Sequence, residues 1–399
     1  MKPSLREAAT ALGAGLSELR RELHRWPETG LELPRTQERI LGELAGLPVE
    51  VTTGKRLSSV TAVLRGARPG PAVLLRADMD ALPVTEGLDL PYASRAPGRT
   101  HACGHDLHVA ALVGAARLLA SRREELAGDV VMMFQPGEEG YGGARLMLEE
   151  GVLGAAGRRP VAAYAVHVVA SGVPKGVFAT RPGVVLAASA TLRVVLRGAG
   201  GHGAQPHTTR DPVPGLCETV LALQSMVTRR FDVRDPVVLT VGALGAGEVG
   251  HVIPDSGRFE ATVRTFSSGA LERVREESAR VVRGVADAHG LEAEFSFEEL
   301  YPATVNDPAE AAFAGEVARE VLGPGRFSEL PEPVCASEDF AYVAARVPST
   351  FLLLGAGEPG ATASNHSPLA AFDDAVLPTA AALLAGLALR RAGRKDASG

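Results

Sequence analysis

The chain is poor in cysteine. Only three thiols, Cys103, Cys217 and Cys335, stand far apart among 399 residues. A scattered, odd-numbered set argues against a disulfide framework and fits a reducing cytoplasm. A basic excess is also missing. Against 41 Lys and Arg stand 47 Asp and Glu, a net charge of −6, which speaks against a nucleic-acid partner. No apolar run reads as both long and charge-free enough to cross a bilayer, so no membrane is expected. The opening MKPSLREAATALGAGLSELRRELHRW lacks the uninterrupted apolar centre of a secretory signal, because acids and arginines break up its leucines. It reads as an amphipathic helix with Leu5, Leu12, Leu16, Leu19 and Leu23 on one stripe. An HExxH pair, a Walker loop and a G-x-S-x-G elbow are all missing, as are internal repeats and low-complexity linkers.

What remains is a globular composition, 46% hydrophobic and 22% charged, long enough for two or three domains. Apolar strand-like runs at 60–64, 72–76, 129–134 and 161–168 alternate with helical patterns at 107–120 and 144–150. That order predicts an α/β domain with a mostly parallel central sheet flanked by helices. The texture changes after Pro182. ATLRVVLRG alternates apolar with polar, and a strand–helix–strand–strand–helix–strand series follows, which predicts an inserted ferredoxin-like α+β domain. The expected division is 1–184 and 299–399 for the α/β domain, with 185–298 inserted.

Chemistry gathers at predicted strand ends, where α/β proteins place their sites. HACGHDLH brings Cys103, His105 and Asp106 within four positions ahead of a helix. A thiolate and an imidazole two residues apart can reach one metal, and both suit zinc-like ions. Packing alone would explain a buried cysteine beside a capping Asp106. In FQPGEEG, Glu138 and Glu139 follow a strand and a tight turn, so one could bind metal while its neighbour takes a proton. A solvated acidic turn is the plain alternative. His167 ends an apolar strand, His366 sits in a polar turn, and Asp78 and Asp80 follow AVLLRA. Each is ordinary alone; their concentration at strand ends is what points to one site.

Two literal G-x-G-x-x-G matches, GAGGHG at 198–203 and GAGEPG at 355–360, raise a dinucleotide fold. A phosphate-cradling loop must open straight into a helix, and neither sequence can do so.

Together, RADMDALPV, HACGHDLHVA, FQPGEEG, VHV, GAGGHGAQPH, SEDFA and NHSP resemble the metal-dependent amidohydrolase branch of the aminoacylase/carboxypeptidase superfamily. Hippurate hydrolases, N-acyl-amino-acid amidohydrolases and auxin–amino-acid conjugate hydrolases belong to that branch. The resemblance implies a catalytic domain with an inserted lid that also makes a dimer contact. It implies two divalent metal ions held by Cys103, His105, Glu139, His167 and His366, with Cys103 bridging; zinc or manganese leads, with cobalt or nickel as alternatives. It makes Glu138 the general base and Asp80 the acid that orients a ligand. His105 would replace a ligand histidine that sister branches carry at the position of Asp78. His202 would steady the oxyanion from the partner's lid, and Arg264 would clamp a substrate carboxylate. Three departures stand out: His251 where Asn is usual, Trp26 where His is usual, and Asn365 where Leu is more common. His251 falls at a substrate-contacting position. His108 and His207 are expected in structural or supporting roles.

The implied reaction is hydrolysis of the amide bond in a small N-acyl amino acid. The alternatives are a dipeptidase or N-carbamoyl amidohydrolase of the same superfamily and, in another class, a catalytically silent metal-binding dimer module.

Overall fold

A computed structural model describes residues 2–394, and within it the chain divides into two compact units. The first runs to Val185 and resumes at Val305–Glu332 and again from Asp339; the second comprises Leu186–Thr304 and Pro333–Glu338.

The first unit holds an eight-stranded sheet: β1 (Val49–Thr53), β2 (Val60–Arg65), β3 (Arg68–Asp78), β4 (Ala127–Gln135), β5 (Pro160–Val169), β6 (Phe178–Thr180), β7 (Phe327–Glu329) and β8 (Ser349–Gly355). Their spatial order is β1-β2-β4-β3-β5-β8-β6-β7. The central β4, β3, β5 and β8 are parallel neighbours. The pairs β1–β2, β2–β4 and β8–β6 are antiparallel, so the sheet is mixed rather than mostly parallel. The difference is local: β1 and β2 are joined by a short hairpin loop, which can only return the chain antiparallel. β4 and β8 are buried along nearly their whole length and β3 from Ala72 onward, which is why these stretches read as unbroken apolar runs.

Helices α1 (Leu5–Arg25), α2 (Pro34–Leu44), α3 (His105–Ser121), α4 (Gly143–Glu149), α5 (Pro308–Leu322) and α6 (Leu377–Gly393) belong to this unit, with a single helical turn at Ala341–Ala344. Ser4 and Glu7 close a reciprocal capping box at the start of α1. Leu16, Leu19 and Leu23 of its stripe are buried, while Leu5 and Leu12 are half-buried. Helices α1, α3 and α5 all pack on α6, and α3 and α6 lie on β3. The segment Asp374–Gly393 has a mean hydropathy of 1.3 and is long enough to cross a membrane. That corrects the expectation that no such run exists. Its apolar character has another cause: 72% of the window is buried inside the unit, as in a core helix.

The second unit contains strands Ala188–Arg197, Val237–Ala246, Ser256–Thr265 and Glu292–Tyr301 and helices Pro212–Arg230 and Ser268–Ala288. The sheet order is Val237–Ala246, Ser256–Thr265, Ala188–Arg197, Glu292–Tyr301, with every pair antiparallel. Buried and exposed residues alternate along Ser256–Thr265, and the inner face packs on both helices. This is the split βαβ topology. The unit ends at Thr304, not at 298, because its last strand continues to Tyr301. Residues 333–338 return to it through backbone hydrogen bonds from Ala187 to the Val334 and Ala336 carbonyls.

Candidate metal centre

Because β3, β4, β5 and β8 run parallel, their C-terminal ends share one edge of the sheet. Asp78 ends β3, Gln135 ends β4 opposite it, and His167 lies near the end of β5 opposite Leu353 of β8. Of the proposed ligands, His167 lies near a strand end and Glu139 just beyond one, while Cys103, His105 and His366 come from a helix start and a turn that meet them there.

The Cys103–His105 pair is placed by the start of α3. Gly104 caps the helix with φ 79°, and a Cβ there would lie 2.4 Å from Val168 Cγ2. Only glycine lets the chain turn there and bring both side chains inward. Glu138 and Glu139 are placed by the turn after β4. Asp80 accepts both of their backbone N–H groups, at 3.0 and 3.1 Å. Gly143 closes the turn, donating its N–H to the Gly137 carbonyl at 3.0 Å, and a Cβ on Gly143 would collide with the Pro136 carbonyl.

Hydrogen bonds decide which ring nitrogens remain free. His105 Nδ1 bonds the Asp80 carbonyl at 2.7 Å, which leaves Nε2 as the nitrogen facing Glu139. Burial opposes protonation, but Asp78 and the Cys103 thiolate outweigh it and hold the His105 imidazolium well above its ordinary range. His167 Nδ1 donates to the Val168 carbonyl at 2.8 Å, which leaves Nε2 as its inward-facing nitrogen. His167 Nε2 lies 3.4 Å from Cys103 Sγ, and His366 Nε2 lies 3.3 Å from the same sulfur. His366 Nε2 is also 3.3 Å from Glu139 Oε1. Two ligand sets therefore share one thiol: Cys103, His105 and His167 on one side, Cys103, Glu139 and His366 on the other, with each set's donor atoms within 4.8 Å of one another. Glu138 also belongs to a group of donor atoms with His105 and Glu139 within 4.8 Å.

The centre asks for positive charge. His105 Nε2 is buried without a hydrogen-bond partner, and Glu139 Oε1 is buried with the His366 ion pair beside it. Burial opposes ionisation of the Cys103 thiol, yet the His167 and His105 imidazoles outweigh it and hold the thiol well below its ordinary range. Burial and the neighbouring Cys103 thiolate push the Glu139 carboxyl up to about 7. Hydrogen bonds to Cys103 and Glu139 hold the His366 imidazolium up to about 10. Protons serve here as counter-charge to a thiolate and a carboxylate. Divalent cations would supply that charge and satisfy the orphaned nitrogen, so the donor set fits a metal pair.

The sequence pattern of peptidase family M20/M25/M40 matches residues 74–390. The chain belongs to that family. Among its relatives, thermostable carboxypeptidase 1 of Saccharolobus solfataricus is 34% identical over 94% of this chain and 94% of its own length. IAA-amino acid hydrolase ILR1-like 2 of Arabidopsis thaliana is 37% identical over 96% of this chain and 86% of its own. The crystal structure of the Bacillus subtilis YXEP protein, described as a dinuclear metal binding peptidase, superposes with a TM-score of 0.83 at 31% identity, covering 96% of this chain and 99% of that one. This member of the M20/M25/M40 family is a metal-dependent hydrolase of amide bonds.

In this M20/M25/M40 protein Asp78 and His108 form a supporting layer. His108 Nε2 accepts the Val168 N–H at 2.8 Å, and its Nδ1 donates to Asp78. Burial, only partly offset by Asp78, lowers the His108 pKa to about 4, so the ring stays neutral. Asp78 is gripped by Arg76 at 2.7 Å. The same carboxylate oxygen, Oδ2, lies 3.5 Å from His105 Nε2.

His202, His251 and Arg264 belong to the second unit. His202 and Val252 pair on a short two-stranded ribbon, and the His251 carbonyl accepts the Gly203 N–H at 2.9 Å. Both histidines are exposed and Arg264 is half-buried. His207 lies in the exposed 3₁₀ turn Pro206–Thr208, so no helix starts directly after GAGGHG. GAGEPG ends in a turn, which also denies it a helix.

Sequence reasoning assigned no role to Arg76, Asp339 or the cluster behind Asp106. Asp339 accepts Arg76 Nη2 at 3.0 Å, Gln135 Nε2 at 2.8 Å and the Ala144 N–H at 2.8 Å, fastening the Glu138 turn from behind. A lone arginine inside the apolar strand AVLLRA was the available signal, since a buried guanidinium demands partners. Asp106 does bond the Leu107 N–H, but its main partners are Arg20 at 2.9 Å and His24 at 2.7 Å.

Proposed function

We propose that the protein hydrolyses N-acyl amino acids. The observation that carries this reading is the convergence of two ligand sets on the Cys103 thiol, with Glu138 hung beside them from Asp80. Cys103, His105 and His167 would hold one divalent cation, and Cys103, Glu139 and His366 the other. Zinc or manganese suits these donors, with cobalt or nickel as alternatives. When bound, the cations supply Lewis acidity toward water and toward the scissile carbonyl.

The chain's own groups handle the protons. Glu138 takes one proton from the attacking water and delivers it to the leaving nitrogen, so an amide and a water become an acid and an amine. Asp80 keeps Glu138 and Glu139 in place through their backbone N–H groups and sets the His105 tautomer through its own carbonyl. His202 would donate to the developing oxyanion from a partner subunit in a homodimer, the second unit serving as lid and dimer contact. Arg264 would bind the carboxylate of the leaving amino acid in a planar fork, with His251 beside the substrate. The names of the relatives support the substrate class. A carboxypeptidase and an amino-acid conjugate hydrolase both cleave an amide whose nitrogen belongs to an amino acid with a free carboxylate. Three unpaired cysteines support a cytoplasmic setting.

The test is a substrate panel on the metal-loaded protein: acetyl, benzoyl and carbamoyl amino acids, and dipeptides. Fastest turnover of the acetyl or benzoyl compounds is expected, and removal of the free carboxylate should raise KM. Preference for dipeptides or carbamoyl compounds would move the protein to the corresponding branch. No turnover of any member by protein holding two cations would favour a silent binding module.

A further inference from the structure

His366 is the one non-glycine residue with positive φ among the described residues, at 69°. A side chain with a Cβ adopts that left-handed conformation only where surrounding contacts hold it. The His366 N–H donates to the Ala102 carbonyl at 2.9 Å, and the preceding residue supplies the rest of the hold. Asn365 Oδ1 accepts the Ala170 N–H at 2.9 Å. Asn365 Nδ2 donates to the Val168 carbonyl at 3.0 Å. The same nitrogen faces Cys103, 3.4 Å from its carbonyl oxygen and 3.6 Å from Sγ. The Ala170 N–H must meet an oxygen, which fixes the amide's orientation and turns its donors toward Val168 and Cys103.

One side chain thus ties the turn bearing His366 to the end of β5 and to the loop bearing the shared thiol. His105 and His167 have their own anchors in the Asp80 and Val168 carbonyls. Asn365 also touches the shared thiol and the Val168 carbonyl, but His366 belongs to one half alone, so the hold supplied by Asn365 falls most heavily on the half formed by Cys103, Glu139 and His366. We propose that Asn365 is a positioning residue of the metal centre: its amide holds the left-handed turn at His366 and shares an N–H with the Cys103 thiolate. An N–H donor on a metal-binding sulfur draws electron density from it, so Asn365 also moderates the donor strength of the shared ligand. This inference rests on the two-cation reading of the site.

The experiment is a cobalt titration of the metal-free full-length protein, comparing wild type with Asn365→Leu and Asn365→Asp, against a competing chelator and followed by absorption. Wild type should take up two cobalt ions with a sulfur-to-cobalt charge-transfer band. Asn365→Leu should hold one ion near wild-type affinity and bind the other roughly 10- to 100-fold more weakly, with the band moved to longer wavelength. Asn365→Asp keeps the acceptor for Ala170 but sets a carboxylate against the Val168 carbonyl and the thiolate, so its loss should be at least as large. Asn365→Ala carries the test if Asn365→Leu fails to fold. A residue of purely structural importance would lower the melting temperature of the metal-free protein while weakening both ions alike or neither. Two ions bound with wild-type affinities and an unmoved band in a folded variant would overturn the role of Asn365 alone. A wild-type protein that binds no cobalt would overturn the two-cation reading itself.

Discussion

Most histidines of the two units live in different environments, with the exposed His366 the exception in the first. His105 and His108 are buried and His167 is half-buried, and each has at least one ring nitrogen committed to a neighbour. His202 and His251 are exposed on or beside a short ribbon, where His202 Nδ1 accepts the nearby Ala204 N–H at 3.0 Å. The contrast fits two kinds of task. A metal ligand must present its donor atom in a known direction, so its ring is oriented by the fold. A group meant to meet charge that develops on a substrate needs access to it, and a protein surface provides that. On the proposed reading, function would be divided between a preassembled centre and a substrate-facing surface.

Three experiments would break or sharpen this division. The largest effect is expected at Glu138. Glu138→Gln should lower kcat by about 10²- to 10⁴-fold, the range for loss of a general acid–base, while metal content stays at the wild-type level. Near-wild-type turnover in a metal-loaded variant would remove Glu138 from proton transfer. Next comes His202. His202→Ala should cost about 10²- to 10³-fold in kcat with no change in metal content, since it lies in the other unit and contributes no ligand. Mixing it with Glu138→Gln should restore part of the activity if the histidine acts across a dimer. Lack of recovery despite confirmed subunit exchange would confine it to its own chain.

The smallest effect is on pH dependence, and it belongs to the preassembled centre alone. Cys103 is held as a thiolate and so has no proton to give up, whereas His366, with a pKa of about 10, carries one at pH 7, and His105, held well above its ordinary range, carries another. Binding the cations must expel these protons, so affinity should rise with pH by up to about tenfold per unit per proton. Below about pH 7 the Glu139 carboxyl adds a further proton, and the fall should steepen. Calorimetry in buffers of different ionisation enthalpy would show the release. Metal affinity that is flat between pH 6 and 9 would contradict the ligand assignments at His366 and His105.

Much of this architecture is legible in the sequence for identifiable reasons. The central strands announce themselves because burial on both faces makes VVMMF and AVLL uniformly apolar, and the second unit because one wet face forces alternation. The antiparallel flanks of the sheet are not legible, since strand direction depends on pairings between distant segments that leave no local pattern. The apolar helix α6 shows the converse: composition alone cannot tell a core helix from a membrane span, and only the packing of α1, α3 and α5 on it decides. At the site, Cys103, His105, Glu138 and Glu139 stand out because their spacing is local. His366 is 263 positions from Cys103 and acquires meaning only from the fold. Asp339 is harder still, because its work is to accept bonds from Arg76, Gln135 and Ala144, which no motif lists together.

The shared thiol is the central claim, and metal counting tests it most directly. Wild-type protein and Cys103→Ala, each saturated with zinc and then freed of excess, should be compared for zinc per chain, with circular dichroism confirming that both are folded. Two ions per wild-type chain and loss of both tight sites in Cys103→Ala is the expected result. Two tightly held ions in a folded Cys103→Ala would contradict a thiolate shared between them.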